Sequence, residues 1–236
     1  RPDGDCVGSS MGLYLYLTEQ FPEIETDLYL EEIPTSFSLI ARTEEIRHTL
    51  PQDQAYDLFI CLDCGDEKRL GPFAALFHQA ADTLCIDHHV SNDAFAKTNY
   101  ISPNASSTSE LVYTLLDDEK ISKACAEALY MGIAHDTGVF QYSCTSPETM
   151  EAAAQLLRKG INGSEIIEKT YFEKTYIQNQ ILGRALLESM LVLEKQVVVS
   201  VVSRKEMEFF EAVPSDLEGI VAQLRQTRGV EVAIFL

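Results

Sequence analysis

Apolar and polar positions follow two recurring patterns over the first 160 residues. Short, nearly continuous apolar runs occupy Tyr56–Leu62 and Thr83–Ile86, as in strands buried on both faces of a parallel sheet. Thr26–Leu30 alternates polar and apolar and predicts a further strand. Between these runs the apolar spacing is helical, at Pro72–Phe77 and beyond, Thr108–Leu116 and Cys125–Ile133. Ser146 before Pro147 supplies an N-cap and a first helical residue, and Gly160 behind Arg158 and Lys159 supplies the stop. Strands alternating with helices predict right-handed βαβ units: an α/β fold with a mostly parallel sheet flanked by helices.

From Ser164 to Leu193 the pattern is helical without a strand signal. A β-branched run at Val192–Val202 follows, then helices at Arg204–Glu211 and Asp216–Thr227 and a last strand at Val230–Leu236. The expected organisation is a first domain at 1–160, a helical linker at 161–191, and the beginning of a second α/β domain at 192–236. The chain opens on a turn and stops inside an apolar strand. It therefore reads as a piece of a longer protein, without a first strand and most of a C-terminal domain.

Composition narrows the function. Of 236 residues, 46% are hydrophobic and 23% charged, which is globular rather than disordered. The 37 Asp and Glu outnumber the 18 Lys and Arg, giving a net charge of −19. Such a surface does not hold long nucleic acid by counterion release. A substrate with a few phosphates is compatible if an acid cluster binds divalent cations and reverses the field locally. No apolar run approaches the roughly 18 residues of a membrane helix, and the N-terminal residues lack the apolar core of a signal peptide. Six cysteines are too sparse for a disulfide scaffold and imply reduced thiols in the cytoplasm. Cys61-x-x-Cys64 has no second thiolate pair to complete a zinc site, so core packing is its expected role.

Four acidic or histidine clusters carry the candidate chemistry. They are Asp3-Gly4-Asp5 with Gly8-Ser9-Ser10, Asp63 with Gly65-Asp66, Asp87-His88-His89, and His135-Asp136-Thr137-Gly138. Asp63 and Asp87 follow predicted parallel strands, at the edge where open α/β sheets build their sites. Singly, these residues read as turns, caps or solvated side chains. Jointly, carboxylates plus imidazole are the ligand set of hard-to-borderline ions such as Mn²⁺ or Mg²⁺. His48 and His78 have no acidic loop beside them and are expected to be structural. No G-x-G-x-x-G follows a strand, which disfavours a dinucleotide-dependent dehydrogenase.

In order, Pro2-Asp3-Gly4-Asp5…Gly8-Ser9, Asp63, Asp87-His88-His89 and Asp136-Thr137-Gly138 resemble the motifs of the DHH phosphoesterase family. The nearest branch holds nanoRNases, pAp phosphatases and phosphodiesterases of cyclic-di-AMP or pApA. Asp216–Val221 and Gly229–Phe235 are similar to the start of that branch's associated domain. The resemblance implies a site with two Mn²⁺ ions, with Mg²⁺ or Co²⁺ as substitutes. Asp3 would ligate the first ion, Asp5 the second, and Asp63 both, with His88 and Asp136 completing the second site. Asp87 would support His88 or the bridging solvent, and His89 would bind phosphate or act as acid. Asp63, Asp87 and His89 would thus be the catalytic residues. Ser9 and Ser10 would give hydroxyl and N–H donors to phosphate at a helix start. His135 is not expected to be a ligand.

The implied reaction is hydrolysis by two-metal-activated water of short oligoribonucleotides, pApA or cyclic-di-AMP, or pAp, to mononucleotides. A homodimer is also implied. The family's upstream histidine ligand and its downstream Gly-Gly-His motif fall outside this sequence, and Gln141 stands where relatives often carry Arg. A family II-like inorganic pyrophosphatase and a non-catalytic nucleotide-binding sensor are the alternatives. A single-strand exonuclease of the RecJ type fits the acidity poorly.

Overall fold

The computed structural model describes residues 2–51 and 54–236, which fold as two compact units, 1–172 and 173–236. The first contains α1 (Gly4–Gln20), β1 (Leu58–Leu62), α2 (Ala74–Gln79), β2 (Asp82–Asp87), β3 (Thr98–Ile101), α3 (Thr108–Leu115), α4 (Lys123–Asp136), α5 (Pro147–Arg158) and α6 (Gly163–Ile167). The second contains α7 (Tyr176–Leu187), β4 (Met190–Val192), β5 (Val197–Ser200), α8 (Arg204–Phe210), α9 (Ile220–Arg225) and β6 (Val232–Phe235). Among the described residues no helix is long and apolar enough to cross a membrane.

The expected α/β fold with a parallel sheet and flanking helices is present. β1, β2 and β3 form a parallel sheet with β2 in the middle, Leu62 opposite Ile86 and Asp87 opposite Ile101. Alternation along β1 sends side chains to two different layers. Leu62 packs on the large helical core, where Val7, Met11 and Leu15 of α1 meet Leu129, Met131 and Ile133 of α4. Cys61 and Phe59 face the other side, against Phe77 of α2. Both layers register the strands, so the carboxyl ends of β1 and β2 lie side by side at Asp63 and Asp87.

Glycine sets the contact between α1 and α4. A Cβ on Gly8 would lie 2.7 Å from Ala128 O and from the Gly132 backbone. No side chain fits there, and the two helices touch through their main chains. That contact brings Asp5, on the first turn of α1, toward Asp136, on the last turn of α4.

Several expectations need correction. Thr26–Leu30 is no strand: one parallel bridge joins Tyr29 to Arg47, while Leu28 and Leu30 pack on the helical core. β3, short and rich in polar residues, was not legible. Pro2–Asp5 is not a free turn, because Asp3 caps α1. Helix α4 runs three residues past Ile133 and so carries His135 and Asp136. The 164–193 stretch is interrupted by a π turn at Glu168–Phe172, restarts at Thr175 with a capping box to Gln178, and ends in β4. It therefore holds a strand, and residues 161–191 fall partly in each compact unit. The Val192–Val202 run is a hairpin arm, turned through left-handed Leu193, Glu194 and Lys195 into β5. Left-handed Gly219 divides the 216–227 segment, leaving α9 shorter. Helix α5 has the expected Ser146 cap and Pro147, and Gly160 is left-handed behind it.

Candidate metal centre

Each element end delivers one functional group. Asp3 Oδ1 accepts the Cys6 N–H at 3.0 Å, and the side chain is exposed. Asp5, two residues on, is buried, with 1% of its surface accessible. Its Oδ2 accepts the Thr108 N–H at 2.6 Å and its Oδ1 the Ser109 N–H at 2.9 Å. These are among the first N–H groups of α3, unpaired within the helix and at its positive end.

Asp63 leaves β1 with φ +53, a left-handed conformation that Asp tolerates better than most residues. Its N–H still bonds Ile86 O at 3.2 Å, while its Oδ1 accepts the Thr108 hydroxyl at 3.2 Å. Asp87, fully buried at the end of β2, accepts His89 Nδ1–H at 2.7 Å and Asn92 Nδ2–H at 2.5 Å. Because the carboxylate only accepts, the proton sits on Nδ1 of His89 and Nε2 is the free nitrogen. Asn92 also donates to Cys64 O at 3.0 Å, tying the loops after β1 and β2 together. A short amide five residues after an Asp carries no sequence signal, and sequence reasoning passed over it.

His88 stands at the centre. Its Nε2 lies 3.0 Å from Asp136 Oδ2, 3.7 Å from Asp63 Oδ1 and 3.9 Å from Asp5 Oδ2. Donor atoms of Asp5, His88 and Asp136 all fall within 4.8 Å of one another, as do those of Asp63, His88 and His89. In the second group the His89 nitrogen facing Asp63 is Nδ1, at 3.6 Å, and Asp87 already claims it. The geometry therefore leaves His89 beside the centre rather than in it. Asp3 belongs to neither group but is close enough to repel Asp63.

Electrostatics describes a site that lacks positive charge. Burial, then Asp136, pushes the Asp5 carboxyl well above its ordinary range. Burial, then Asp5 and Asp3, does the same to Asp63. Burial would lower His88, but its bond to Asp136 and the charges of Asp5 and Asp63 outweigh it and hold the imidazole protonated more strongly than usual. Converging buried carboxylates around one imidazole fit a divalent cation, whose charge replaces the shared protons. Oxygen and nitrogen donors without thiolate are the set suited to Mg²⁺, Mn²⁺ and similar ions.

Other expected participants are placed elsewhere. Ser9 is a correction: it sits in the second turn of α1, its hydroxyl donates to the Asp5 carbonyl at 2.7 Å, and it is fully buried. Neither Ser9 nor Ser10 is at the helix start, so their N–H groups serve the helix instead of a phosphate. Ser10 is buried and lines a cavity of about 210 Å³ that also touches Asp3, Asp63, Tyr29 and Phe73. His135 bonds Thr170 Oγ1 at 3.0 Å and stacks edge-on against Phe37 and Tyr171, and burial lowers its pKa to about 4. It packs over Gly4, where a Cβ would lie 2.2 Å from its ring. Cys61, Cys64 and Cys85 are buried together with Phe77 and Ala96, and all six thiols are free. His48 bonds Leu30 O and His78 pairs with Glu67, both away from the centre.

Fold and site together define an α/β protein with a candidate divalent-cation centre at the carboxyl edge of a parallel sheet. The chain belongs to the DHH family: residues 1–133 match the family's N-terminal domain. Asp136 lies just past the matched residues, and its 3.0 Å approach to His88 is what joins it to the motif residues. The chain is 25% identical to the bifunctional oligoribonuclease and PAP phosphatase NrnA of Bacillus subtilis, across all of this chain and 74% of that protein. It is 30% identical to the cyclic-di-AMP phosphodiesterase GdpP of the same organism, over 90% of this chain and 34% of that one. Among solved structures, an exopolyphosphatase-related protein from Bacteroides fragilis superposes with a TM-score of 0.89 at 27% identity, covering 97% of this chain and 71% of the other.

Proposed function

We propose that the chain is the catalytic part of a metal-dependent phosphoesterase of the nanoRNase and pAp phosphatase branch. Its substrates would be short oligoribonucleotides, dinucleotides such as pApA or cyclic-di-AMP, and pAp, hydrolysed to mononucleotides. The observation that carries this reading is the meeting of Asp5, Asp63, His88 and Asp136 around His88 Nε2. NrnA and GdpP, named for these activities, are similar to the chain over most of its length.

Asp3, Asp5, Asp63, His88 and Asp136 would hold two divalent cations, Mn²⁺ with Mg²⁺ or Co²⁺ as substitutes. When bound, such ions polarise phosphoryl oxygens and lower the pKa of water. The protein supplies the rest. Asp63 presents Oδ1 between the two histidines, at 3.7 Å from His88 and 3.6 Å from His89. Asp87, clamped by Asn92, fixes the tautomer and tilt of His89. As the imidazolium, protonated on both nitrogens, His89 would present its Nε2–H to a phosphate oxygen or give that proton to the leaving oxygen. The excess acid elsewhere discourages long polynucleotides and leaves small phosphorylated substrates. Free cysteines suit a cytoplasmic enzyme. Residues 192–236 would begin the substrate-gripping domain, and the enzyme would work as a homodimer.

The test is hydrolysis of pAp, pApA, a five-nucleotide RNA and pyrophosphate by the full-length protein with Mn²⁺. Release of mononucleotides from at least one of the first three is expected. Activity confined to pyrophosphate, or tight nucleotide binding with no turnover, would overturn the assignment.

A further inference from the structure

One residue outside every motif read from the sequence touches two of the three carboxylates that flank His88. Thr108, the first residue of α3, is fully buried. Its main-chain N–H donates to Asp5 Oδ2 at 2.6 Å, and its hydroxyl donates to Asp63 Oδ1 at 3.2 Å. These partners lie 103 and 45 residues away in the chain, on α1 and at the end of β1. One residue therefore holds two ligands from separate elements with two atoms in fixed relation to each other.

The surroundings make this grip rigid. The Ser107 hydroxyl accepts the Glu110 N–H and caps α3, so the first turn cannot unwind toward solvent. Ser109 N–H holds the second oxygen of Asp5 at 2.9 Å. Glu110, also buried, accepts the Ser106 N–H and hydroxyl and the Thr149 hydroxyl, which pins the loop before α3 to α5. Gly132 of α4 lets the turn approach, since a Cβ there would lie 1.9 Å from Ser109 Oγ and 3.0 Å from Asp5 Oδ1. Two negatively charged side chains pushed together by burial would otherwise swing apart. A donor aimed at each opposes that motion.

We propose that Thr108 is a positioning residue that sets the spacing and orientation of Asp5 and Asp63, and through them the affinity of the centre for divalent cations. The proposal rests on the cation-site reading given above. Thr108 touches no substrate; it acts through the two carboxylates. Removing its hydroxyl leaves the N–H grip on Asp5 intact and frees Asp63 Oδ1 alone. Loss of such an outer hydrogen bond lowers metal affinity roughly 10- to 100-fold.

The experiment is calorimetric titration of the cation-free, full-length protein with Mn²⁺, with the thermal midpoint of each cation-free variant measured beside it. Thr108→Val keeps the shape and removes the donor; Thr108→Ser keeps the donor and removes the methyl. Weaker Mn²⁺ binding by Thr108→Val of roughly 10-fold or more, with Thr108→Ser close to wild type, supports the assignment. Binding by Thr108→Val equal to wild type overturns it. So does equal loss in both variants, which would make the methyl packing responsible. If Thr108→Val does not fold, Thr108→Cys, with a weak donor of similar size, replaces it under the same criteria. A wild-type protein that binds no Mn²⁺ refutes the cation-site reading itself, an outcome distinct from failure of Thr108 alone.

Discussion

Substituting Gly8 by Ala tests whether main-chain contact between α1 and α4 builds the site. Two effects of opposite sign compete. In a helix interior, Gly→Ala gains up to about 1 kcal/mol from backbone entropy. Against this, the new Cβ meets Ala128 O and the Gly132 N and Cα at 2.7 Å. All three are main-chain atoms of a helix and cannot rotate away. Restoring ordinary contact requires the helices to part by several tenths of an ångström. Overpacking a tight core costs about 1–3 kcal/mol, and contact with rigid backbone belongs at the upper end. The net expectation is destabilisation by about 1–2 kcal/mol, or a fall of about 2–8 °C in Tm at this size. Gly183 of α7 is the internal control, because a Cβ there meets nothing within 4 Å. Gly183→Ala is expected to gain most of the entropic term. Thermal unfolding followed by circular dichroism compares both with wild type, and Mn²⁺ titration reports the centre. Gly8→Ala is expected also to weaken Mn²⁺ binding, since Asp5 and Asp136 ride on the two helices. A Gly8→Ala protein as stable as wild type, with unchanged Mn²⁺ binding, would refute the argument.

Three further outcomes follow from the site. Because Asp5 and Asp63 bind protons more tightly folded than unfolded, the cation-free protein should lose stability as pH rises from about 4 to about 8, and saturating Mn²⁺ should cancel that loss, so that the Mn²⁺-induced rise in Tm is larger at about pH 8 than at about pH 6; a pH-independent rise would contradict this. His89→Gln should lower turnover by roughly 10²–10⁴-fold while Mn²⁺ affinity by calorimetry stays near wild type, because Asp87 rather than a cation holds Nδ1; a large loss of affinity would make His89 a ligand. Val139, with φ +58 just after the Asp136 turn, is a β-branched residue in left-handed backbone, and Val139→Gly should stabilise the first unit by about 1 kcal/mol in urea titration; a lower midpoint would show that the strain is repaid by packing.

Much of the fold was legible because its signals are local. The apolar runs at Tyr56–Leu62 and Thr83–Ile86 read as strands and form β1 and β2, although β1, at the end of the three-strand order, buries only Cys61 and leaves Leu58 exposed; Ser146-Pro147 with Gly160 marked both ends of α5. Thr26–Leu30 misled because alternation reports one buried face, not whether a neighbouring strand pairs with it; Leu28 and Leu30 satisfy the pattern by packing on helices. β3 gave no signal because Thr98 and Asn99 are ordinary loop residues until β2 offers its edge. The strand β4 was hidden inside a helical reading because the turn at Leu193–Lys195 uses left-handed residues with no glycine.

The site divides in the same way. Motif order and family resemblance single out Asp3, Asp5, Asp63, His88 and Asp136 as candidate ligands, with Asp87 and His89 as their supporting and substrate-facing neighbours. The sequence by itself determined that order and the acidity that narrows the substrate. Which of these residues meet depends on packing between distant parts of the chain. The tertiary structure put His88 Nε2 among three carboxylates, turned His89 Nδ1 onto Asp87, left Asp3 at the rim and withdrew Ser9 into the helix. It also brought in Asn92 and Thr108, ordinary residues whose importance lies in what they touch. The reason is physical: ligand chemistry is a property of a side chain, whereas spacing, tautomer and charge belong to the packing that surrounds it.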